Sequence, residues 1–335
     1  MNVGRSVGRL LKYSRVFYAW SRKQTVLPYL PEDISVEVTN VCNFKCAYCP
    51  QSDPDHFKKV RATTLKPDQA DVLLSRLRKS GVRTNVLHFT LDGEPFVNRR
   101  FHEICKVAHA YGFDNIIFST NGEFATLERV LELPQSSSAR YTFCIDFCDD
   151  KEYFETYRGT PGSWDTVKNN INAIVHDHRL DNVMVHVTDI TSFKIHDRAA
   201  LQTHFDGLRK MFDGTRVAVA SRVFHNATGY LRDMGNGTPR SYNLCPYPWT
   251  SLVVASNGDV VACCRDLQHK TVLGNLFKQD LGEIWNGEKY QQLRRSLAEG
   301  KPEGACKDCD MPYEKSKFSA RNIIATGLIR LQVLE

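Results

Sequence analysis

The sequence contains no apolar run of the roughly 18 residues that a membrane-spanning helix requires, and no apolar core typical of a signal peptide. It also has no dense basic stripe, and its net charge of +6 is mild for 335 residues, which disfavours nucleic acid as a partner. No repeat with a solenoid period is present. These absences exclude an integral membrane protein and a repeat scaffold.

What is present is the composition of a globular protein with an ample core. Hydrophobic residues make up 42% and charged residues 24% of the chain, which are ordinary values, and the length suggests about two domains. The eleven cysteines do not fit a disulfide-stapled secreted domain, because the chain is too long and the number is odd. Their clustered spacing indicates metal binding in a reducing cytosol, so a cytoplasmic protein is expected.

Residues 1–24 form a basic segment of their own. They contain six basic residues and no acidic one, mixed with apolar residues at helical spacing. Such a helix can lie on an anionic membrane surface, so peripheral membrane contact is one interpretation. A first helix packed across the rest of the fold explains the pattern equally well, and organellar targeting is a weaker third option.

From Ile34 to about Val219, short apolar strands alternate with amphipathic helices. The predicted strands are Ile34–Val38, Asn85–Leu91, Asn115–Ser119, Tyr141–Asp146, Val183–Thr188 and Val217–Ala220. The predicted helices between them begin at Pro67, at Phe101 with closure by Gly112, and at Trp164 with Ser163 as N-cap. This order predicts an α/β fold with a parallel sheet and right-handed crossovers.

Six strand–helix units are too few for a closed eight-stranded barrel, so an open, partial (β/α)6 TIM-like barrel is expected. Functional groups of parallel barrels gather at the carboxyl ends of the strands. Three cysteines, Cys42, Cys46 and Cys49, follow the first predicted strand directly, in a C-x3-C-x2-C run. The site is therefore expected at that end of the sheet.

The three cysteines are suited to an iron–sulfur cluster. Cysteine thiolates are its usual ligands, and a four-iron cluster normally takes four of them. Three without a fourth nearby would leave one iron open to a small molecule, which distinguishes a reactive metal centre from a structural one. Buried cysteines on one helical face and a zinc site are the alternatives. Against a helix, Asn43 and Pro50 favour a turn.

This run, with Tyr48 just before its last cysteine, resembles the radical SAM superfamily. The resemblance implies a [4Fe–4S] cluster on Cys42, Cys46 and Cys49, with S-adenosylmethionine (SAM) chelating the fourth iron and Tyr48 close to the cofactor. One-electron reduction by a donor such as flavodoxin or ferredoxin would cleave SAM to a 5'-deoxyadenosyl radical, which abstracts hydrogen from the substrate. The cofactor would supply this chemistry and the protein would orient it.

A second segment, Asp92-Gly93-Glu94-Pro95, resembles the GGEP motif of the family, with Asp92 in place of the first glycine. The resemblance assigns the segment to the amino group of SAM, through backbone oxygen and the Glu94 carboxylate. An acceptor-only carboxylate beside a glycine that permits close backbone approach suits an ammonium ligand. Outside that context the segment would be a common turn.

Two weaker resemblances follow along the chain. Ser119 and Asn121, at the end of the third predicted strand, are similar to polar residues that contact the SAM ribose, although they would also suit a simple turn. Arg158, before Gly159, resembles an arginine–glycine step of this branch. Its guanidinium would pair with the SAM carboxylate or else form a surface ion pair.

A second cysteine set lies near the carboxyl terminus. Cys245, Gly258 and Cys263 form a C-x12-G-x4-C pattern, and Cys306 and Cys309 form C-x2-C. Four such thiolates can close a zinc site or hold a cluster, and spacing alone does not separate the two. Residues 256–260 predict a hairpin turn and residues 287–297 a helix.

That order resembles the SPASM/twitch extension of radical SAM enzymes, which carries auxiliary iron–sulfur clusters. No cysteine follows Cys309, so the resemblance implies one auxiliary cluster, as in the shorter twitch form, on Cys245, Cys263, Cys306 and Cys309. Cys264 would be a substitute ligand, a buried spare or a thiol near the cavity. The predicted domains are an N-terminal extension (1–32), the partial barrel (33–230), the twitch domain (231–320) and a tail (321–335).

Other cysteines suggest a further role. Cys144 and Cys148 flank Asp146 at the fourth predicted strand, where core packing is the usual explanation. A radical epimerase, however, needs a second hydrogen donor, for which a thiol is well suited. Cys264 and Cys148 are therefore hypothetical hydrogen donors.

The leading functional prediction is a radical SAM oxidoreductase acting on a small polar metabolite, such as a sugar or an aminocyclitol, by oxidation, dehydration or epimerisation. The auxiliary cluster would accept the electron left after hydrogen abstraction. A ribosomal-peptide maturase is the alternative, disfavoured because only 33 residues precede the first predicted strand, too few for a winged peptide-recognition domain. A non-catalytic zinc scaffold is more distant. Residues 56–64 and 188–196 are predicted to touch the substrate.

Overall fold

The computed structural model describes residues 14–31, 33–222, 224–231 and 242–313. Within them, nine strands form one sheet in the order β6-β5-β4-β3-β2-β1-β7-β8-β9. The strands are β1 (Asp33–Val36), β2 (Val86–Phe89), β3 (Asn115–Thr120), β4 (Arg140–Phe147), β5 (Val183–Asp189), β6 (Val217–Ser221), β7 (Ser251–Val254), β8 (Asp259–Val261) and β9 (Val272–Asn275).

Of the helices in the described residues, one precedes β1, seven lie between the first six strands and three flank the last three strands. They are α1 (residues 14–21), α2 (His56–Lys59), α3 (Pro67–Lys79), α4 (Phe101–Ala110), α5 (Leu127–Leu131), α6 (Lys151–Arg158), α7 (Ser163–His176), α8 (Arg198–Met211), α9 (Tyr247–Thr250), α10 (Leu281–Trp285) and α11 (Glu288–Ala298).

The six predicted strands are all present, and each neighbouring pair from β1 to β6 is parallel. The predicted partial (β/α)6 barrel is thus confirmed, with strand ends that shift by a few residues. In β4 buried residues alternate with half-buried ones. The buried face packs on helices, since Phe143 lies 4.3 Å from Phe118 and Phe101 of α4 lies 5.3 Å from Phe118 (ring centroids). The half-buried face is the inner face of the barrel.

One predicted helix start is wrong. Ser163 is the first residue of α7 rather than its N-cap, and its hydroxyl donates to the Thr160 carbonyl oxygen. Gly162 occupies the cap position with φ of 77°, a left-handed conformation that glycine adopts without steric cost. By contrast, Gly112 follows the end of α4 with φ of 73°, as predicted.

The C-terminal strands extend the barrel sheet. β7 pairs with β1 in parallel, from Asp33 opposite Ser251 to Val36 opposite Val254, and the predicted hairpin then adds β8 and β9 in antiparallel order. β1 is therefore a central strand, and its buried residues Ile34 and Val36 are covered as parallel-sheet strands usually are. Cys263, which follows β8, is therefore attached to the same sheet as the first cysteine set.

The described part of the basic N-terminal segment packs against the C-terminal elements. The Trp20 ring N–H donates to the Leu244 carbonyl at 3.2 Å, and the Trp249 ring N–H donates to the Gln24 carbonyl at 2.7 Å. Residues 1–13, which carry half of its basic side chains, lie outside the described residues. Among the helices of the described residues, none is long and apolar enough to cross a membrane.

Candidate metal centres and cofactor site

The first three cysteines lie in a loop that follows β1, which we call the metal loop (residues 40–56). Its cysteine-bearing part is not helical, so the helical-face interpretation is wrong. Burial raises the pKa of the Cys42 thiol to about 12, and neighbouring Glu94 and Cys46 add to the shift. Burial, Asp92 and Cys46 raise the pKa of Cys49 in the same direction. These thiols lie close enough to repel one another as anions, so a bound cation would displace their protons.

The segment that ends α6 lies directly against the metal loop. The Ala47 N–H donates to the Tyr157 carbonyl at 2.8 Å. Gly159 has φ of 71°, and a Cβ there would lie 2.6 Å from the Lys45 carbonyl oxygen. Only glycine permits this approach, so the arginine–glycine step is placed beside the cysteines by backbone packing.

Arg158 itself is buried and paired within the protein. Its Nη1 donates to the Tyr48 hydroxyl at 2.9 Å and lies 3.5 Å from an Asp146 carboxylate oxygen. Its Nε has no hydrogen-bond partner in the described residues. The predicted pairing of Arg158 with the SAM carboxylate, and a role for Tyr48 at the cofactor, stay predictions. The surface ion pair is wrong, because only 5% of Arg158 is exposed.

The turn after β2 brings Glu94 to the cysteines. Gly93 has φ of 71°, and a Cβ there would lie 2.2 Å from the Thr39 carbonyl oxygen, just before the metal loop. The Glu94 carboxylate is buried and accepts from Phe96 N–H and the Thr120 hydroxyl at Oε1, but only from Asn121 N–H at Oε2. A carboxylate oxygen can accept two hydrogen bonds. Oε2 thus retains acceptor capacity of the kind an ammonium group requires.

The two ribose candidates differ in position. Asn121 is buried next to Cys42, with its Nδ2 donating to Asn43 Oδ1 at 2.8 Å and lying 3.9 Å from the Cys42 sulfur. Ser119 is exposed on the inner face and accepts from the Thr90 hydroxyl at 3.3 Å. The structure therefore brings Asn121 and Glu94 together with the metal loop and leaves Ser119 at the barrel opening.

The second cysteine set converges on one pocket. Cys245, Cys263, Cys306 and Cys309 all line it, together with Thr228, Tyr247 and Arg265. Burial raises the pKa of Cys245 to about 12, and the neighbouring Cys309 contributes to the shift. Cys264 is not among the lining residues, and its neighbours are Arg265, Asp33 and Tyr247. Of the two adjacent cysteines, Cys263 is the one directed at the other three.

Neither cysteine set forms a site for a single metal ion. Among the side chains of the described ranges, no group of three or more His, Cys, Asp or Glu residues is arranged in that way. The ligands of a four-iron cluster bind separate irons. The donor sets, three thiols beside a carboxylate with acceptor capacity and four thiols around one pocket, are chemically those of iron–sulfur sites.

The two cysteines that flank Asp146, of which Cys148 is a hypothetical hydrogen donor, lie in different surroundings. Cys148 is fully buried in the core, and its thiol donates to the Asp150 carbonyl at 3.2 Å. Cys144 lies on the inner face with Asp146, because the two are separated by one residue in a strand. Core packing thus explains Cys148 but not Cys144.

An inner-face group that the sequence reasoning did not single out lies beside the metal loop. Both Nη atoms of Arg222 donate to the Asp146 carboxylate at 2.8 Å. Cys144 is directly opposite His186 of β5 in the strand register. In the sequence, strand alternation was the signal that could have identified part of this group, because it places Cys144 and Asp146 on one face. Arg222 could not have been assigned, since it follows β6 and meets Asp146 only through the fold.

Two family models match the chain. The first, "Radical SAM superfamily", covers residues 36–191, and the second, SPASM, described as "Iron-sulfur cluster-binding domain", covers residues 245–310. They span the metal loop with its neighbouring turns, and the four-cysteine pocket, respectively. Together they cover about two thirds of the chain.

Individual proteins are similar at low identity. The chain is 21% identical over 280 residues to an S-adenosyl-L-methionine-dependent 2-deoxy-scyllo-inosamine dehydrogenase of Niallia circulans, across 83% of this chain and 92% of that protein. It is 25% identical over 306 residues to the antilisterial bacteriocin subtilosin biosynthesis protein AlbA of Bacillus subtilis (strain 168), across 83% of this chain and 65% of that protein.

Solved structures show the same fold. BtrN in complex with AdoMet and 2-DOIA matches with a TM-score of 0.59 at 22% identity, covering 84% of this chain and 94% of that one. Streptococcus suis SuiB bound to precursor peptide SuiA matches with a TM-score of 0.52 at 17% identity, covering 88% and 70%. The chain belongs to the radical SAM superfamily and is a radical SAM enzyme with a C-terminal SPASM domain, a combination that binds SAM, a [4Fe–4S] cluster and auxiliary iron–sulfur clusters.

Proposed function

We propose that this enzyme oxidises a small polar metabolite of the sugar or aminocyclitol class. The observation that carries the proposal is the polar inner face beside the metal loop, where the Asp146–Arg222 pair lies next to Cys144 and His186. Charged and hydrogen-bonding groups on the half-buried inner face of a barrel suit hydroxyl and amino groups of a small ligand. The similar dehydrogenase of Niallia circulans is named for an aminocyclitol substrate, which supports the same class.

In this proposal Cys42, Cys46 and Cys49 hold the catalytic cluster, and Glu94 receives the ammonium group of SAM. When bound, the reduced cluster and SAM supply the 5'-deoxyadenosyl radical that removes a hydrogen atom from the substrate. Asn121, fixed by its bonds to Asn43 and Glu94, orders the loop around Cys42. Arg158 is paired with Tyr48, and it lowers the pKa of the Cys46 thiol against the larger effect of burial.

The four-cysteine pocket holds one auxiliary cluster in this scheme. Its ligands are Cys245, Cys263, Cys306 and Cys309, because these four line the pocket. Four protein ligands leave no iron open to substrate, which suits electron acceptance rather than direct chemistry. When bound, this cluster would supply a one-electron acceptor, so that loss of a hydrogen atom followed by loss of an electron and a proton would amount to a two-electron oxidation of the substrate. Cys264 stays a hypothetical hydrogen donor.

Three accompanying predictions belong to the same proposal. The domains are residues 33–230 for the partial barrel and 231–320 for the twitch unit, flanked by residues 1–32 and 321–335. A one-electron donor of the flavodoxin or ferredoxin type reduces the catalytic cluster. For the localisation of the enzyme, the prediction is the cytoplasm, with peripheral membrane contact through residues 1–24.

A peptide maturase is the second candidate. It is supported by the match to SuiB, solved with its precursor peptide, and to AlbA, a bacteriocin biosynthesis protein. The chain spans 70% of that SuiB chain and 65% of AlbA, so both are longer than the region shared with this protein. The inner-face ion pair favours the small-molecule reading over this one.

The test begins with protein purified without oxygen and loaded with iron and sulfide. Supplied with SAM and dithionite, it is expected to form 5'-deoxyadenosine, and Cys42→Ala is expected to abolish that product. Cys105→Ala is the matched control, because Cys105 is a cysteine of α4 that is buried in the helix-packed core and not part of the metal loop. Aminocyclitols and sugars should then accelerate 5'-deoxyadenosine formation. Two results would contradict the proposal. One is purified protein that contains zinc and no sulfide, and the other is 5'-deoxyadenosine formation that only peptides accelerate.

A further inference from the structure

His56 and Asp92 form a buried pair between the metal loop and the turn that carries Glu94. His56 Nε2 lies 2.8 Å from Asp92 Oδ2, and each side chain is only 1% exposed. Asp92 stands where the family resemblance expects a glycine, which has no side chain to offer. A carboxylate buried this deeply needs hydrogen-bond donors, and His56 supplies one.

Gln51 completes the set of donors. Its Nε2 donates to Asp92 Oδ2 at 2.9 Å and to the Asn40 carbonyl at 2.7 Å. The other carboxylate oxygen of Asp92 accepts from the Gly93 N–H at 2.9 Å. The Asp92 side chain therefore joins the later end of the metal loop to the turn after β2, and Gln51 links that end to Asn40 at the start of the loop.

Backbone contacts hold the same turn on the other side of the cysteines. The Glu94 N–H donates to the Val41 carbonyl at 2.9 Å, directly before Cys42. Asp92 also lies close enough to Cys49 for its charge to act on that thiol. The turn thus contacts the metal loop before its first cysteine by backbone, and after its last cysteine by the Asp92 side chain.

We propose that His56 and Asp92 are positioning residues that hold the Cys49 end of the metal loop against the Glu94 turn and thereby set the geometry for SAM. The inference rests on the proposed function, because it presumes that cluster and SAM bind where that proposal places them. Groups that orient metal ligands through hydrogen bonds typically change affinity or activity by about 10- to 100-fold when removed. His56 has no alternative partner at Nδ1 in the described residues, so its Nε2 contact is the one that matters.

The experiment uses the full chain, loaded with iron and sulfide, in the variants His56→Leu, Asp92→Asn and the double variant. His56→Gln is the conservative variant, since an amide N–H can still donate to Asp92. His204→Leu is the control. It removes a His–Asp hydrogen bond of equal length, from His204 Nδ1 to Asp149 Oδ1 at 2.8 Å, on the helix side of the sheet. The readouts are the SAM dissociation constant, the SAM-induced change in the EPR spectrum of the reduced protein, and the thermal midpoint.

His56→Leu and Asp92→Asn are each expected to raise the SAM dissociation constant about tenfold and to weaken the EPR change. The double variant should lose no more affinity for SAM than the weaker-binding single variant, because each single substitution already removes the same contact. His56→Gln should recover most of the affinity, and His204→Leu should bind SAM normally even where its thermal midpoint falls. If His56→Leu does not take up iron and sulfide, SAM binding by Asp92→Asn tests the positioning role.

Normal SAM binding by the loadable variants would overturn the inference, as would an equal loss of affinity in His204→Leu. If the unaltered chain loads and binds SAM while the variants do the same, only the positioning role fails. If the unaltered chain forms no cluster or binds no SAM, the proposed function fails as well.

Discussion

At the scale of single residues, two buried glutamates at the carboxyl edge of the sheet have different surroundings. Glu94 accepts three hydrogen bonds beside the metal loop. Glu37, fully buried after β1, accepts from the Ser256 N–H at 3.0 Å and its hydroxyl at 2.7 Å, and from the Asp92 N–H at 3.3 Å. Burial outweighs these bonds and raises the pKa of Glu37 to about 7, with a further contribution from the Asp92 charge.

Glu37 should therefore make stability depend on pH. Its folded-state pKa is above the unfolded value, so its contribution is complete below the unfolded pKa of 4.5 and is lost as pH rises through about 7. Relative to Glu37→Gln, the natural chain should lose up to about 3 kcal/mol of unfolding free energy between pH of about 5 and about 8.

Urea unfolding of both proteins across that range measures this difference, because groups common to both cancel. A difference that does not change with pH would show that the Glu37 carboxyl keeps one charge state throughout. A difference that grows in favour of the natural chain at high pH would reverse the sign and contradict the burial argument.

At the scale of elements, the bend that follows β8 separates two adjacent cysteines. Cys263 lines the four-cysteine pocket, whereas Cys264 lies near Asp33 and Tyr247. Two four-iron clusters give about eight irons per chain. Cys263→Ala is expected to lose about four of them, whereas Cys264→Ala should retain all. Iron and sulfide analysis of the reconstituted variants checks this, and the opposite pattern would transfer the ligand role to Cys264.

The elements also show which features sequence reasoning can reach. The six parallel strands were predictable because their apolar runs are short and bounded by helix starts, and the turn residues around Cys42 correctly excluded a helix. Ser163 failed as an N-cap because Gly162, in a left-handed conformation, already ends the preceding loop. The partners of Arg158 lie 12 and 110 positions away, and only the folded sheet brings them together.

At the scale of the whole molecule, the N-terminal segment and the C-terminal unit form one packed body. Strand pairing between β1 and β7 joins residues 218 positions apart, a contact that no local pattern announces. The Trp285 ring N–H donates to the Tyr29 carbonyl at 2.8 Å, and Asn286 bonds twice to the backbone of Leu27. The auxiliary pocket is consequently supported by residues from both ends of the described chain.

Arg294 of α11 lies at the centre of this body. It is fully buried, and its guanidinium donates to the carbonyl oxygens of Pro248, Thr25 and Trp285 at 2.8 to 2.9 Å. Burial lowers its pKa to about 10, so it remains charged at neutral pH. The Arg294 Cζ atom also lies 4.5 Å from the centroid of the Trp285 ring, which is a favourable contact for a cation.

Arg294→Leu should therefore destabilise the protein strongly. Three carbonyl groups, two of them in buried hydrogen bonds, would lose their donor. Each buried polar group left unsatisfied costs about 1 to 3 kcal/mol, so a loss of about 3 kcal/mol or more is expected. Arg295→Leu is the matched control, because its side chain is half exposed and lies 3.8 Å from an exposed Glu288 carboxylate. Such a surface pair contributes about 1 kcal/mol or less.

Urea unfolding measures the stability of both variants. Proteolysis near residue 25 should increase in Arg294→Leu alone, since the Thr25 carbonyl loses its hydrogen-bond donor. Equal stability of the two variants would mean that the N-terminal segment is held to the C-terminal unit by its tryptophan contacts and not by this arginine.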